Sequence, residues 1–215
     1  RGNRRSNEAA MKFFLLGAFS SGLLLYGMSL LYGIGGSTDL VIIAQRLGER
    51  PSPDPLAWMA MITLLAGLFF KVSAVPFHQW TPDAYEGAPT SITAFISVAP
   101  KVASFALLLR ILIVGIWPMR EEWQTLTIGV AVATMTVGNL AAITQTNIKR
   151  FFGYSTISHV GYLLLGLVAA ADNNPEGLTA VAIYLLVYAF MNLGAFAVII
   201  MMRRKEIIGD EIDDL

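Results

Sequence analysis

The chain has no cysteine and only two histidines. Without a thiol it holds no disulfide, no thiolate metal site and no cysteine-ligated iron–sulfur cluster, although this absence says nothing of compartment. Charge is scarce too. Asp, Glu, Lys and Arg make up 14% of the 215 residues, where a soluble domain carries about 25%. The formal net charge is zero, so there is no electrostatic footprint for nucleic acid. The sequence has no phosphate-cradling glycine loop, no HExxH and no GxSxG. Ser155, Ser158 and His159 share one segment, but no acidic group stands near to orient the imidazole, which argues against a hydrolase. No low-complexity tract or internal repeat is visible. The chain begins at Arg1 without an initiator methionine or signal peptide. Its last residues, 209–215, carry no terminal signal, and the whole reads as a fragment of a longer protein.

Apolar sequence fills most of the remainder, at 55%. The charges crowd into short segments between six apolar runs, at 10–33, 56–78, 90–116, 123–144, 150–171 and 177–202. Each run suffices to cross about 30 Å at about 1.5 Å per residue. The expectation is an all-α polytopic membrane bundle, a single transmembrane domain over 1–215 embedded in a lipid bilayer. Asn173, Asn174 and Pro175 mark the last turn. Pro51, Pro53 and Pro55 stiffen the approach to the second run, and 38–47 suits a short interfacial helix. Basic residues set the orientation. One side collects Arg1, Arg4, Arg5, Lys149, Arg150, Arg203, Arg204 and Lys205, and the other only Arg46, Arg50 and Arg120. The richer side is expected to be the cytoplasmic one, or its organellar equivalent, and it includes an acidic bend at 78–89. The tail alternates Glu206, Ile207, Ile208, Asp210, Glu211 and Ile212, which suits either a surface-lying segment or a partner contact.

The stretch 71–101 organises the chain. It reads KVSAVPFHQWTPDAYEGAPTSITAFISVAPK, a lysine in an apolar run on each side of a polar, proline-rich bend. A lysine at the centre of a membrane helix costs about 2.5–3.5 kcal/mol on insertion scales. Pro76 cannot donate to the carbonyl of Val72, so the helix breaks or kinks just beyond Lys71. Broken helices occur in membranes where they line a polar cavity or are buried in protein. Lys71 either faces such a cavity or snorkels past His78 to the surface. Lys101 sits mid-span, with Thr93, Ser97 and Ser104 on its face and Pro100 before it. It reaches neither interface easily. A buried ion pair needs a carboxylate, and none lies deep in the six runs, so an anionic partner must come from other sequence or another subunit.

Ser155, Ser158, His159 and Tyr162 follow i, i+3, i+4, i+7 spacing, a polar stripe on an apolar helix. Interhelical hydrogen bonding explains the hydroxyls. The histidine, which exchanges protons near neutrality, equally suits a proton relay. Asn139 and Asn192 suit packing hydrogen bonds. Lys12 and Arg110 lie where snorkelling suffices, Lys149 with Arg150 is a positive-inside pair, and His78 beside Trp80 suits a solvated bend. Burial disfavours the charged form of a lysine, so a row of such groups bridged by water can pass protons.

The 71–101 stretch resembles the signature of the antiporter-like subunits of respiratory complex I. Within that family it looks most like the N subunits of bacterial NADH–quinone oxidoreductases, counterparts of mitochondrial subunit 2. RRSNEAAMKFFLLGAFSSG at 4–22, TNIKRFFGYSTISHVGY at 146–162 and GDEIDDL at 209–215 agree. The resemblance covers essentially the whole chain. It implies a fourteen-helix subunit of two inverted five-helix repeats, of which this chain would supply the last three helices of one and the first three of the next. It implies a proton path through Lys71, on the broken helix, and Lys101, with Lys12, His78, Lys149 and His159 at other polar positions. The glutamate that pairs with the broken-helix lysine would precede Arg1, and the second broken helix would follow Leu215. The chain itself would hold no metal or cofactor. NADH, flavin, iron–sulfur clusters and quinone would belong to partner subunits, in a complex of the bacterial cytoplasmic (inner) membrane. A multisubunit sodium–proton antiporter or a membrane-bound hydrogenase shares the lysine–bend–lysine layout, and a passive structural bundle is the third reading.

Overall fold

In the computed structural model the described residues are 4–51, 54–172, 174–204 and 211–212. They form eight α-helices: α1 (Arg4–Gly35), α2 (Leu40–Gly48), α3 (Pro55–Val72), α4 (Trp80–Gly87), α5 (Thr90–Arg110), α6 (Arg120–Ile143), α7 (Ile148–Ala171) and α8 (Pro175–Arg204). A π-helical turn (Ile111–Gly115) extends α5, and a 3-10 turn (Trp117–Met119) leads into α6. Six of these segments are long and apolar enough to cross a membrane. The remaining two, α2 and α4, are short.

Local chemistry sets the helix ends. Asp39 and Asp54 cap α2 and α3, accepting from the N–H groups of Val41 and Leu56, and Pro55 occupies the first turn of α3, where its missing N–H is not needed. Asp54 also pairs with Arg50. Asn147 caps α7 through the N–H groups of Lys149 and Arg150. The expected interfacial helix is α2, with Ile43 and Leu47 buried.

The break expected just beyond Lys71 is present, and one difference from the sequence expectation matters for the site. Within the run 56–78, α3 stops at Val72. Ser73 adopts a left-handed conformation at φ 70, and Ala74 N–H bonds back to Phe69 O at 2.9 Å. The acidic segment at 78–89 is not an irregular bend, because most of it is α4. Pro82 falls in the first turn of that helix, where no intrahelical donor is required. By contrast, α5 runs α-helical through Pro100.

Close helix contacts position α4. It lies between α1 and α7. A Cβ on Gly87 would come within 2.6 Å of Ala9 Cβ on α1, and one on Gly153 of α7 within 3.0 Å of Pro82 Cα. The same device joins α6 to α7, where Gly138 meets the backbone of Ser158, as expected where lipid leaves packing to small residues. Large apolar side chains such as Phe14, Phe19 and Phe190 are exposed on the outer faces of α1 and α8. Of the tail, Ile212 N–H bonds Thr146 O at 2.7 Å, so this part returns to the α6–α7 turn. Residues 205–210 and 213–215, with Arg1, Pro53, Asn173 and the side chains of Arg203 and Arg204, lie outside the description.

Candidate proton-transfer site

The helix break is the seat of Lys101. Pro76 has no N–H to offer the Val72 carbonyl, and that carbonyl instead receives Lys101 Nζ at 3.1 Å. Lys101 also donates to Ser73 Oγ at 2.8 Å, and its ammonium stands 5.7 Å from the Trp80 ring centroid, a cation–π distance. Lys101 is 2% exposed. Its ligands are therefore a carbonyl, a hydroxyl and a ring, and no carboxylate pairs with it among the described residues. Ser97 and Ser104, which share its face in sequence, do not hold it: Ser97 Oγ donates to Ala94 O within its own helix. Thr81 Oγ1 donates to Ser73 Oγ at 2.6 Å and Trp80 Nε1 to Phe70 O at 3.0 Å, so α4 closes over the break.

Lys71 occupies the last turn of α3 and is half-buried. Its ammonium makes no hydrogen bond or ion pair among the described residues. Together with Lys101 it lines a cavity of about 310 Å³ that is otherwise mostly apolar, walled by Phe13, Trp80, Ile92 and Pro100.

A second cavity, about 370 Å³, lies beside it and is charged. Arg5, Glu8, Lys12, Asp83, Glu86 and Arg150 line it, and Ala9 and Gly87 line both cavities. Asp83 is its hub, with Lys12 Nζ at 2.8 Å and Arg150 Nη1 at 2.6 Å. Arg150 also reaches Glu86 at 3.1 Å, and Lys12 pairs with Glu8 at 2.8 Å. Partial burial alone would raise the Asp83 carboxyl, but the hydrogen bonds from Lys12 and Arg150 outweigh it and hold it below its ordinary value. Lys12 is thus an ion-pair partner and not a snorkelling side chain. Lys149, half of the positive-inside pair, is not a solvated side chain. It is 5% exposed and donates to Glu86 O at 2.7 Å and Ala88 O at 3.2 Å, satisfying carbonyls at the end of α4 where a cation is favoured. His78 is half-buried, and its Nδ1 has no partner among the described residues. Burial pushes the imidazole down, with the Pro76 carbonyl opposing.

The polar stripe on α7 divides between two neighbours. Ser158 donates to Asn139 Oδ1 on α6 at 2.9 Å. His159 Nδ1 lies 2.7 Å from the Tyr184 hydroxyl on α8. Tyr162 is exposed, and Asn192 donates into its own helix, to Tyr188 O. Arg110 is exposed at the far end of α5.

Six apolar spans, one helix broken between two lysines and a buried lysine held by neutral ligands define an antiporter-like membrane bundle. Residues 1–214 match the family described as NADH:quinone oxidoreductase/Mrp antiporter, transmembrane, and the chain belongs to that family. It is 59% identical over 217 residues to NADH-quinone oxidoreductase subunit N 1 of Koribacter versatilis, an alignment that takes in 99% of this chain and 42% of the relative. Among solved structures, a chain of respiratory complex I from Thermus thermophilus with bound aureothin matches at TM-score 0.72 and 38% identity, over 89% of this chain and 40% of that one. A chain of the Mrp complex from Dietzia sp. matches at TM-score 0.79 and 28% identity, over 91% and 35%. The chain therefore spans well under half the length of the proteins it resembles.

Proposed function

We propose that the chain is part of a proton-translocating membrane subunit of a bacterial NADH–quinone oxidoreductase in the inner membrane. Protons pass through Lys71, Lys101 and His159, with Lys12, His78 and Lys149 toward the basic, cytoplasmic end. NADH, flavin, iron–sulfur clusters and quinone are handled by partner subunits, and redox chemistry there drives the transfer. The observation that carries this reading is Lys101: fully buried, liganded among the described residues by neutral groups alone, and thus poised to change protonation when the charge on a neighbour changes. Lys71 shares its cavity and supplies such a neighbour. The sodium–proton antiporter reading has the fold in its favour, but the identity of 59% to a subunit N against 28% to an Mrp chain favours the oxidoreductase.

The test uses vesicles carrying the complete complex, with subunit content checked by blot. Met keeps the length and packing of lysine without its charge, while Arg keeps the charge but does not release its proton. Lys71→Met, Lys101→Met and Lys101→Arg all lower pumping, and Lys101→His is the mildest change. Wild-type pumping by Lys101→Arg would show that titration at this position is unnecessary.

A further inference from the structure

Burial disfavours the charged form of a lysine, and no carboxylate pairs with Lys101 among the described residues to offset that. Within its cavity the charged neighbour among those residues is Lys71, a like charge, while Asp83 and Glu86 line the second cavity. The polar ligands are one carbonyl and one hydroxyl. What remains is the indole of Trp80, 5.7 Å from the ammonium, and its placement is closely determined. Trp80 is the first residue of α4 and is buried. Its ring packs against Phe13 of α1 and Phe70 of α3, at centroid distances of 4.9 and 5.6 Å. Phe13 and Phe70 in turn stack on each other at 6.5 Å. One side chain thus joins α1, α3 and α4 beside a lysine of α5.

Backbone satisfaction does not explain the indole. The Phe70 carbonyl that accepts from Trp80 Nε1 at 3.0 Å already accepts from the N–H of Ser73 at 3.1 Å, and one partner satisfies a buried carbonyl. The second bond instead fixes the angle of the ring. Filling space does not require an indole either, since phenylalanine and isoleucine line the rest of this wall. Among aromatic side chains tryptophan presents the most attractive π face to a cation, and the attraction grows when the pair is desolvated. We infer that Trp80 is a positioning residue for Lys101: its π face takes the part of a counterion and keeps the ammonium on the Val72 carbonyl and the Ser73 hydroxyl, while Phe13 and Phe70 keep the ring in place. This deepens the proposed function and rests on it, because a lysine that exchanges protons must hold its charge for part of the cycle. A ring suits that task better than a carboxylate. It attracts the ammonium without competing for its proton, and it carries no net charge that would lock the lysine in one form.

The experiment replaces Trp80, in the complete complex, by ring-fluorinated tryptophans carrying one, two and three fluorines. Fluorine draws charge from the π face while ring size, packing and the indole N–H stay nearly constant. Pumping in vesicles should therefore fall stepwise along the series, by about threefold or more at three fluorines, with subunit content unchanged on blots. Trp80→Phe should pump below wild type and Trp80→Leu below Trp80→Phe. Phe13→Leu, which removes one of the ring's supports, should also lower pumping, but less than Trp80→Leu. In a Lys101→Met complex the fluorinated series should lower nothing further, because the ring acts through the ammonium. An unchanged rate along the series, alongside a defective Lys101→Met, would overturn the role of the ring and leave the proposed function standing. An equal stepwise fall in the Lys101→Met complex would overturn it too. Wild-type pumping in Lys101→Met would overturn the proposed function itself. If Trp80→Leu does not assemble, the fluorinated series decides the matter.

Discussion

Ser73 does two jobs at the helix break, and two substitutions separate them. Its backbone holds φ 70, a left-handed conformation that costs an L-residue roughly 1–2 kcal/mol and glycine almost nothing. Its hydroxyl accepts from Lys101 and from Thr81. Ser73→Gly relieves the backbone and removes the acceptor. Ser73→Ala removes the acceptor and keeps the strain. The lost hydrogen bonds are buried, since Ser73, Thr81 and Lys101 are 0%, 0% and 2% exposed, and leaving donors there without a partner costs about 1–3 kcal/mol. For glycine the two effects nearly offset, giving a net change between a gain of about 1 and a loss of about 2 kcal/mol. Alanine gains no relief, and its loss stays at about 1–3 kcal/mol.

Thermal melting of the assembled complex should therefore place both wild type and Ser73→Gly above Ser73→Ala. Pumping should not follow that order. Both variants strip the same ligand from Lys101, so both should fall by roughly the same factor, on the order of tenfold for a loss near 1.4 kcal/mol. Blots establish that subunit content is unchanged. Pumping that tracks melting, with Ser73→Gly near wild type and only Ser73→Ala defective, would refute the hydroxyl's role as a Lys101 ligand.

Three other outcomes are expected. Asp83→Asn should lower the melting temperature at neutral pH by an amount equivalent to about 1 kcal/mol, the scale of partly exposed ion pairs; because the Asp83 carboxyl is held low in the folded state, its stabilisation is present above the unfolded pKa of about 3.9 and fades as pH falls further, so a difference persisting undiminished at pH 3 would contradict the ion-pair assignment. Gly138→Val should prevent assembly, since even a Cβ would lie 2.6 Å from Ser158 N, whereas Gly129→Val on the same helix meets nothing within 4 Å and should assemble normally on blots. His159→Ala should slow pumping without loss of assembly, and His159→Lys should be tolerated better than His159→Leu; equal pumping by all three and wild type would leave the histidine only a packing role.

Much of the site is legible in residue type alone. A lysine in an apolar run is costly wherever it sits, so Lys71 and Lys101 stand out before any fold is known. Pro76 likewise announces the break, because a proline removes a donor from a stated carbonyl. What connects these facts is not local. The orphaned Val72 carbonyl and the ligand-poor Lys101 ammonium are both visible in sequence, but they lie 29 residues apart and meet only through the packing of α5 against the end of α3. The hidden element is α4. Its eight residues, Trp-Thr-Pro-Asp-Ala-Tyr-Glu-Gly, carry too much polarity for a membrane span and two marks of a turn, proline and glycine. A finer signal was present: a proline within the first turn followed by an acidic residue is a helix start. The burial of Lys149 is hidden in the sequence for the same reason, since its carbonyl partners exist only once α4 ends against it.

The placement of α4 also makes the two cavities interdependent. One short helix carries Trp80 and Thr81, which close over the break, and Asp83 and Glu86, which bind cations from α1 and α7. Eight residues at about 1.5 Å each span only about 12 Å, too little for the two ends to move separately. A change in charge at Asp83 or Glu86 that shifts α4 must therefore shift the Thr81–Ser73 contact on which Lys101 rests. Such coupling needs a discrete element that both sites bias and not merely proximity. Ser73, left-handed, and Pro76, without an N–H, form the joint between α3 and α4. At that break a buried lysine takes a carbonyl and a hydroxyl as ligands, with no carboxylate beside it among the described residues.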